Sequence, residues 1–70
     1  MKRKPVESSN LASVGYDTAK LILEIEFNHG GIYQYFDVPE EEYEELMSAD
    51  SHGSYFVHNI KDVYEYDRIK

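Results

Sequence analysis

The feature that most constrains the fold of this 70-residue sequence is an apolar face of alternate side chains that leads into two adjacent glycines. In the stretch LILEIEF, residues 21–27, one predicted strand face carries Ile22, Glu24 and Glu26. Every second side chain is apolar and lies on one face of a predicted strand: Leu21, Leu23, Ile25 and Phe27. One apolar and one charged face are typical of an antiparallel sheet that is covered on one side. The glycines of NHGG allow the positive φ that hairpin turns need, so IYQYFDV, residues 32–38, is the predicted returning strand.

The length of this hairpin loop decides which face Tyr33 and Tyr35 occupy, because a shift of one residue exchanges the faces of a strand. With an even number of loop residues, both tyrosines are exposed and Gln34 is buried without a partner, which costs about 1–3 kcal/mol. With one more residue in a glycine bulge, Tyr33 pairs with Ile25, Tyr35 pairs with Leu23, and both rings turn inward. The cost of burying Gln34 favours the bulged register.

Two short helices are predicted after the hairpin. Pro39 suits the first position of a helix, and the glutamates at residues 40–42 match the helix dipole in the first turn. Tyr43, Leu46 and Met47 follow at the spacing of one apolar stripe.

A second helix is expected to begin at Asp50 or Ser51, either of which can cap it, and to bury Phe56 and Ile60. Gly53 inside this helix is unfavourable by about 1 kcal/mol relative to alanine, which indicates a close contact with the sheet.

The remaining segments also alternate. Residues 10–16 are predicted as a first strand with Ala12, Val14 and Tyr16 on one face, followed by a turn over residues 17–20. Residues 63–69, VYEYDRI, are predicted as a closing strand. The order β-β-β-α-α-β predicts an α+β fold: a small antiparallel sheet of three to four strands with two short helices.

The length of the chain allows one domain, and the charged residues are distributed unevenly along it. Residues 1–4 carry three basic side chains and are predicted to form a flexible tail, and residues 5–70 to form the single domain. The net charge is −7, and residues 5–70 alone contain four basic and fourteen acidic side chains, a balance that repels phosphate backbones and attracts basic partners. The chain has no cysteine, no apolar run long enough for a membrane span and no secretory signal, so a cytoplasmic protein is expected.

No residue pattern indicates catalysis or a cofactor. His29, His52 and His58 lack the spacing of metal ligands, and Asp50, Ser51 and His52 are chain neighbours, which is more typical of helix capping than of a triad. The two glycines lack the frame of a phosphate loop. We therefore expect a non-enzymatic binding protein without a metal or cofactor.

The aromatic residues form the candidate site. Tyr33 with Tyr35, and Tyr64 with Tyr66, form two Y-x-Y pairs on separate predicted strands, and neighbouring strands would place four rings on one sheet face. Such a face can stack unpaired bases at about 1–3 kcal/mol per base. The alternative is a tyrosine-rich core and rim. The predicted partner-binding set adds the nearby cations and comprises Tyr33, Tyr35, Tyr64, Tyr66, Lys61 and Arg68, with Lys70 close by.

The strings SSNLASVGYD, LEIEF, GGIYQYFDVP, SHGSYF and IKDVYEYDRI together resemble the KTSC domain. This family takes its name from its occurrence at the C-terminus of some lysyl-tRNA synthetases, and it also stands alone in bacterial and phage proteins. The central Y-x-Y of the family corresponds to Tyr33 and Tyr35. Gln34 and Asp67 depart from the more basic character of many members. The other matching positions are Ser9, Asn10, Gly15, Tyr16, Asp17, Val38, Pro39, Ser51, Gly53, Phe56, Ile60 and Tyr64.

The resemblance implies a stand-alone domain that binds RNA, with tRNA as the expected ligand, through the Tyr33 and Tyr35 face and with Lys61, Arg68 and the basic tail at the phosphates. The acidic body supports an alternative: a protein-interaction module that dimerises or that binds and inhibits a basic, nucleic-acid-binding partner.

Overall fold

Five antiparallel strands form one sheet in the chain order β1-β2-β3-β4-β5, and two helices inserted between β4 and β5 cover one of its faces. This computed structural model describes all residues from 1 to 70. It confirms the predicted α+β class and adds one strand at the N-terminus. The elements are β1 Arg3–Pro5, β2 Leu11–Asp17, β3 Ile22–Phe27, β4 Ile32–Tyr35, α1 Glu40–Ser48, α2 His52–Asn59 and β5 Tyr66–Arg68.

The β3–β4 hairpin adopts the bulged register. The amide of Gly30 donates to the carbonyl of Phe27 at 2.9 Å, and the amide of Phe27 donates to the carbonyl of Gly31 at 2.9 Å, so the loop contains three residues. Gly30 has a φ of 104°, which is open to glycine but strained for other residues. Tyr33 therefore pairs with Ile25, and Tyr35 pairs with Leu23, on the face that the helices cover.

The N-terminus differs from the predicted tail. Residues 3–5 pair with β2, and Arg3 forms an ion pair with Glu24 of β3 across the face that the helices leave open. Gln34 donates to the same carboxylate at 2.8 Å, and Ser13 accepts from the guanidinium of Arg3 at 3.0 Å. The face predicted to be wet thus holds a polar network in which Glu24 is only 5% exposed, because the long side chain of Arg3 covers it.

Two leucines at strand ends do not lie on the side of the sheet that the alternation predicts. The β2–β3 register shifts between Leu11 and Ser13, and Leu11 is fully buried although the expected apolar face held Ala12. This bulge breaks the period of two and turns an additional apolar side chain into the core. Leu21 is 41% exposed because it lies in the β2–β3 turn at a φ of 57°.

The two helices form as predicted and close the core. Leu46 of α1 and Phe56 of α2 are buried, with Ile60 directly after α2, and the hydroxyl of Ser51 caps α2 by accepting from the amide of Ser54 at 3.2 Å. A Cβ on Gly53 would lie 3.2 Å from the Ser8 hydroxyl oxygen. The close contact expected at this glycine is therefore with the loop that leads into β2.

The closing strand is shorter than predicted. β5 contains only Tyr66–Arg68, and Tyr64 lies in the preceding turn. No helix of the protein has both the length and the apolar character needed to span a bilayer.

Candidate functional site

A cleft opens between α2 and the strands β4 and β5. Its volume is about 310 Å³, at the lower end of the range of roughly 300–1,000 Å³ for small-molecule sites. Most of its wall is aromatic. The lining residues are Asn10, Phe27, His29, Tyr33, Tyr35, Phe56, Val57, Lys61, Asp62 and Tyr66.

The β4–β5 register builds one wall of this cleft. Tyr35 pairs with Tyr66, and Tyr33 pairs with Arg68, so all four side chains lie on the helix-covered face. The Tyr66 ring lies 5.8 Å from the Tyr33 ring and 5.5 Å from the Tyr35 ring, measured between centroids. The guanidinium carbon of Arg68 lies 5.7 Å from the centroid of the Tyr33 ring, within the range of a cation–π contact.

α2 and the turn after it build the opposite wall. Phe56 packs edge-on against Phe27 at 5.4 Å and against Tyr35 at 5.4 Å, which fixes the helix over the centre of the sheet. Val57 is 44% exposed and lines the cleft one residue later. Lys61 and Asp62 follow in the turn and bring one cation and one anion to the same opening.

The hairpin loop closes the end of the cleft. His29 stacks on Phe27 with 5.4 Å between ring centroids and only 3° between ring planes, and Phe27 meets Tyr33 edge-on at 5.3 Å. The loop therefore extends the aromatic wall beyond the strands.

Five of the six predicted partner-binding residues meet at this cleft. Tyr33, Tyr35, Tyr66 and Lys61 line it, and Arg68 lies over Tyr33 at its margin.

Tyr64 is the sixth, and the prediction that it joins the same aromatic face is wrong. Its hydroxyl donates to the Glu42 carboxylate of α1 at 3.0 Å, and the hydroxyl of Tyr55 donates to the same carboxylate. β5 begins only at Tyr66, so the side chain of Tyr64 is free to turn towards α1. Tyr64 therefore ties the turn before β5 to α1, and Tyr55 ties α2 to the same carboxylate.

Tyr35 brings a hydroxyl group to the cleft. Tyr35 is 4% exposed, and its hydroxyl has no hydrogen-bond partner in the protein, unlike the hydroxyls of Tyr16, Tyr55 and Tyr64. Every polar side-chain atom that is fully sealed from solvent does have a partner. The hydroxyl of Tyr35 therefore keeps contact with the cleft that its ring lines.

Burial raises the pKa of Tyr35 to about 12, and the neighbouring groups Tyr33, Tyr66 and Asp62 add to the shift. The folded protein thus holds this proton more tightly than the unfolded chain, whose tyrosines ionise near 10.0. The stability that this proton contributes is complete below pH 10 and disappears as the pH rises through about 12.

We expect the free energy of unfolding to fall by up to about 2 kcal/mol more in the wild type than in Tyr35→Phe as the pH rises through this window. Urea denaturation at a series of alkaline pH values measures this difference. Burial also raises the pKa of Tyr16 and of Tyr64, and hydrogen bonding to Glu42 raises that of Tyr55, so both proteins share a background loss. Identical pH profiles for the wild type and Tyr35→Phe would contradict this placement of the hydroxyl.

Sequence reasoning assigned Phe27 and Phe56 to the core alone and did not include His29, Val57 or Asp62 in the site. The periodicity of α2 identifies Phe56 as buried, but periodicity does not reveal which strand the ring meets. Asp62 lies 27 positions after Tyr35 in the chain, and no local pattern connects the two. No group of three or more His, Cys, Asp or Glu side chains lies close enough together to hold a metal ion.

The five-stranded antiparallel sheet, the two covering helices and the aromatic cleft at the β4–β5 edge define this protein as a small α+β domain. The sequence profile of the KTSC domain family matches residues 7–64. The chain belongs to the KTSC domain family.

Solved and curated relatives agree with this assignment. The crystal structure of a KTSC domain protein from Yersinia pestis is 42% identical and superimposes with a TM-score of 0.96, over 99% of this chain and 97% of that one. An uncharacterized protein from Stutzerimonas stutzeri is 46% identical over 99% of both chains. A lysine–tRNA ligase from Nostoc is 38% identical over 90% of this chain, which corresponds to 11% of the ligase. No catalytic function is evident in the domain.

Proposed function

We propose that this KTSC domain binds unpaired RNA, with tRNA as the expected source, through the cleft between α2 and the β4–β5 edge. The observation that carries the proposal is the set of aromatic rings around one opening, with Tyr33, Tyr66 and His29 at its walls. Aromatic side chains of this kind stack with unpaired bases at about 1–3 kcal/mol per base. Stacking tolerates any base, which suits a domain that meets single-stranded loops or ends.

The charges around the cleft support a nucleic-acid ligand better than the net charge does. Lys61 lies on the α2 side and Arg68 on the β5 side, so a strand crossing the opening would meet a cation at either wall. The exposed glutamates of α1 do not line the cleft. The acidic surface therefore lowers affinity through long-range repulsion, which salt screens.

The relatives indicate which class of RNA to expect as the ligand. A segment similar to this chain occurs within a lysine–tRNA ligase from Trichormus variabilis at 36% identity, as it does in the Nostoc ligase. A domain fused to an enzyme that acts on tRNA is well placed to hold part of that tRNA. We carry this context to the present chain as support for tRNA.

Tyr66→Ala is the direct test, because this ring is 54% exposed and its removal leaves the core intact. We expect the variant to bind single-stranded RNA about 5- to 100-fold more weakly than the wild type, since one stacking platform is lost. Fluorescence anisotropy with labelled mixed tRNA and with short single-stranded oligonucleotides at low salt measures the change.

Arg68→Gln should make the negative slope of log affinity against log salt less steep by about 1.

Two matched variants control for nonspecific effects. Ile69→Ala removes an exposed apolar side chain, 50% accessible, from the residue that follows β5, and Lys4→Gln removes a cation from β1 at the opposite edge of the sheet. Both should bind RNA as the wild type does. If the wild type binds none of the RNAs at low salt, or if Tyr66→Ala binds as tightly as the wild type, the proposal is wrong.

A second candidate is recognition of a basic protein by the exposed glutamates of α1. Four of them, Glu40, Glu41, Glu44 and Glu45, are exposed on one short helix. Glu44→Lys would abolish binding of a basic partner and Tyr66→Ala would not affect it, the reverse of the pattern expected for RNA.

Light scattering on the same samples tests for a homodimer, in which the partner would be a second copy of the chain.

A further inference from the structure

The cleft is lined by a free hydrogen-bond donor and by a carboxylate. The Tyr35 hydroxyl has no protein partner and opens into the cleft, and like any tyrosine hydroxyl it is protonated at neutral pH. It is thus a donor that is free to bind an acceptor atom of the ligand. Asp62 lines the same opening and lies near enough for its charge to act on Tyr35. Its carboxylate is an acceptor that can take two donors at once.

Stacking decides which part of a base remains available to these groups. A base that stacks on the exposed ring of Tyr66 uses its face there and leaves its edges for the polar groups that line the same cleft. Tyr35 and Asp62 then offer that edge one donor and one double acceptor. The Watson–Crick edge of guanine is complementary in order: its O6 accepts one bond, and its N1–H and N2–H₂ groups present two donors in a row. The corresponding edges of adenine, cytosine and uracil present a single donor group, so they leave one carboxylate oxygen unused or facing an acceptor.

We propose that the Tyr35 hydroxyl and the Asp62 carboxylate give the cleft a preference for guanine, with Tyr35 donating to O6 and Asp62 accepting from N1–H and N2–H₂. This inference rests on the proposed binding of unpaired RNA at the cleft and assigns the base that the cleft accepts. Lys61, the residue before Asp62, remains available for the adjoining phosphate.

The test uses a series of short oligouridylates that carry guanine, adenine, cytosine or inosine at the central position. We expect the wild type to bind the guanine oligonucleotide about tenfold more tightly than the adenine one, within the range for a bidentate base contact. Inosine lacks the N2 amino group and should fall between them. Free guanosine monophosphate serves as a second probe, and comparable affinity for it would identify the nucleotide itself as the ligand.

Asp62→Asn should reduce the preference for guanine over adenine to below about threefold, because an amide accepts at only one atom. Asp67→Asn is the matched control. It removes the same charge from β5, but Asp67 pairs with Gln34 on the opposite face of the sheet, so the preference should stay unchanged. Tyr35→Phe should weaken guanine binding and leave uridine binding nearly unaltered.

The outcomes separate the two proposals. Equal affinity for all four bases, with Tyr66→Ala still weakening each of them, would overturn the guanine preference and keep the cleft as an RNA site. A guanine preference that survives Asp62→Asn would overturn the role of Asp62. Absence of binding to the whole series would overturn both proposals.

Discussion

Phe56→Ala is expected to leave the protein largely unfolded at room temperature. Phe56 is 3% exposed and contacts Phe27 of β3 and Tyr35 of β4, so this one ring fastens α2 to the sheet. Truncating a buried phenylalanine to alanine costs about 3–5 kcal/mol. A single core in a chain of this length rarely supplies more than about 3–5 kcal/mol of net stability. The loss therefore equals most of the free energy of unfolding.

Urea denaturation followed by far-ultraviolet circular dichroism measures this effect, and Val57→Ala is the matched control. Val57 is the next residue of the same helix but is 44% exposed, so its truncation should change the free energy of unfolding by no more than about 0.5 kcal/mol. Phe56→Leu keeps a large apolar side chain and should fold with an intermediate stability. Equal denaturation midpoints for Phe56→Ala and Val57→Ala would show that α2 does not pack on the sheet as described.

Arg3→Ala is the second large effect, and it tests the strand that the sequence alone did not predict. Removing the guanidinium leaves the Glu24 carboxylate, whose side chain is 7% exposed, with only Gln34 as a partner. Breaking a fully buried ion pair costs about 3–5 kcal/mol. The Arg3 side chain is 27% exposed, so solvent compensates in part and we expect a loss of about 2–3 kcal/mol.

The free energy of unfolding from urea denaturation measures this loss at neutral pH. Lys4→Ala, at the next position of β1, removes an exposed cation and should change stability by less than about 0.5 kcal/mol. The double variant Arg3→Met with Glu24→Met removes both charges and should recover most of the loss, because no unpaired charge remains in the network. A neutral effect of Arg3→Ala would mean that residues 1–4 are the flexible tail that their composition suggests.

The two buried contacts have a common consequence for the cleft. Phe56 holds the α2 wall, and the network around Glu24 includes Gln34, which lies between Tyr33 and Tyr35 on β4 and faces the opposite side of the sheet. A binding defect in a cleft variant is therefore interpretable only when its urea midpoint matches that of the wild type. Tyr66→Ala and Asp62→Asn meet this condition best, because both side chains are exposed.

The local sequence accounts for much of the architecture. The alternation in residues 21–27 places Leu23 and Ile25 in the core, and the paired glycines produce the three-residue loop that turns Tyr33 and Tyr35 inward. The glutamates and the apolar stripe of α1 lead to the helix that forms, and Ser51 caps α2. These features depend on neighbours within a few positions, where propensity, capping and periodicity act directly.

The remaining features depend on groups that are distant in the chain. Residues 3–5 become a strand because Glu24 offers a buried carboxylate to Arg3, and Tyr64 leaves the aromatic face because Glu42 offers it an acceptor. The sequence by itself determined the strands β2, β3 and β4 and the two helices, and it favoured the inward orientation of the Y-x-Y pair. Only the tertiary structure decided that Asp62 and the Tyr35 hydroxyl share one cleft, because long-range packing, and no local pattern, brings the turn after α2 to the edge of β4.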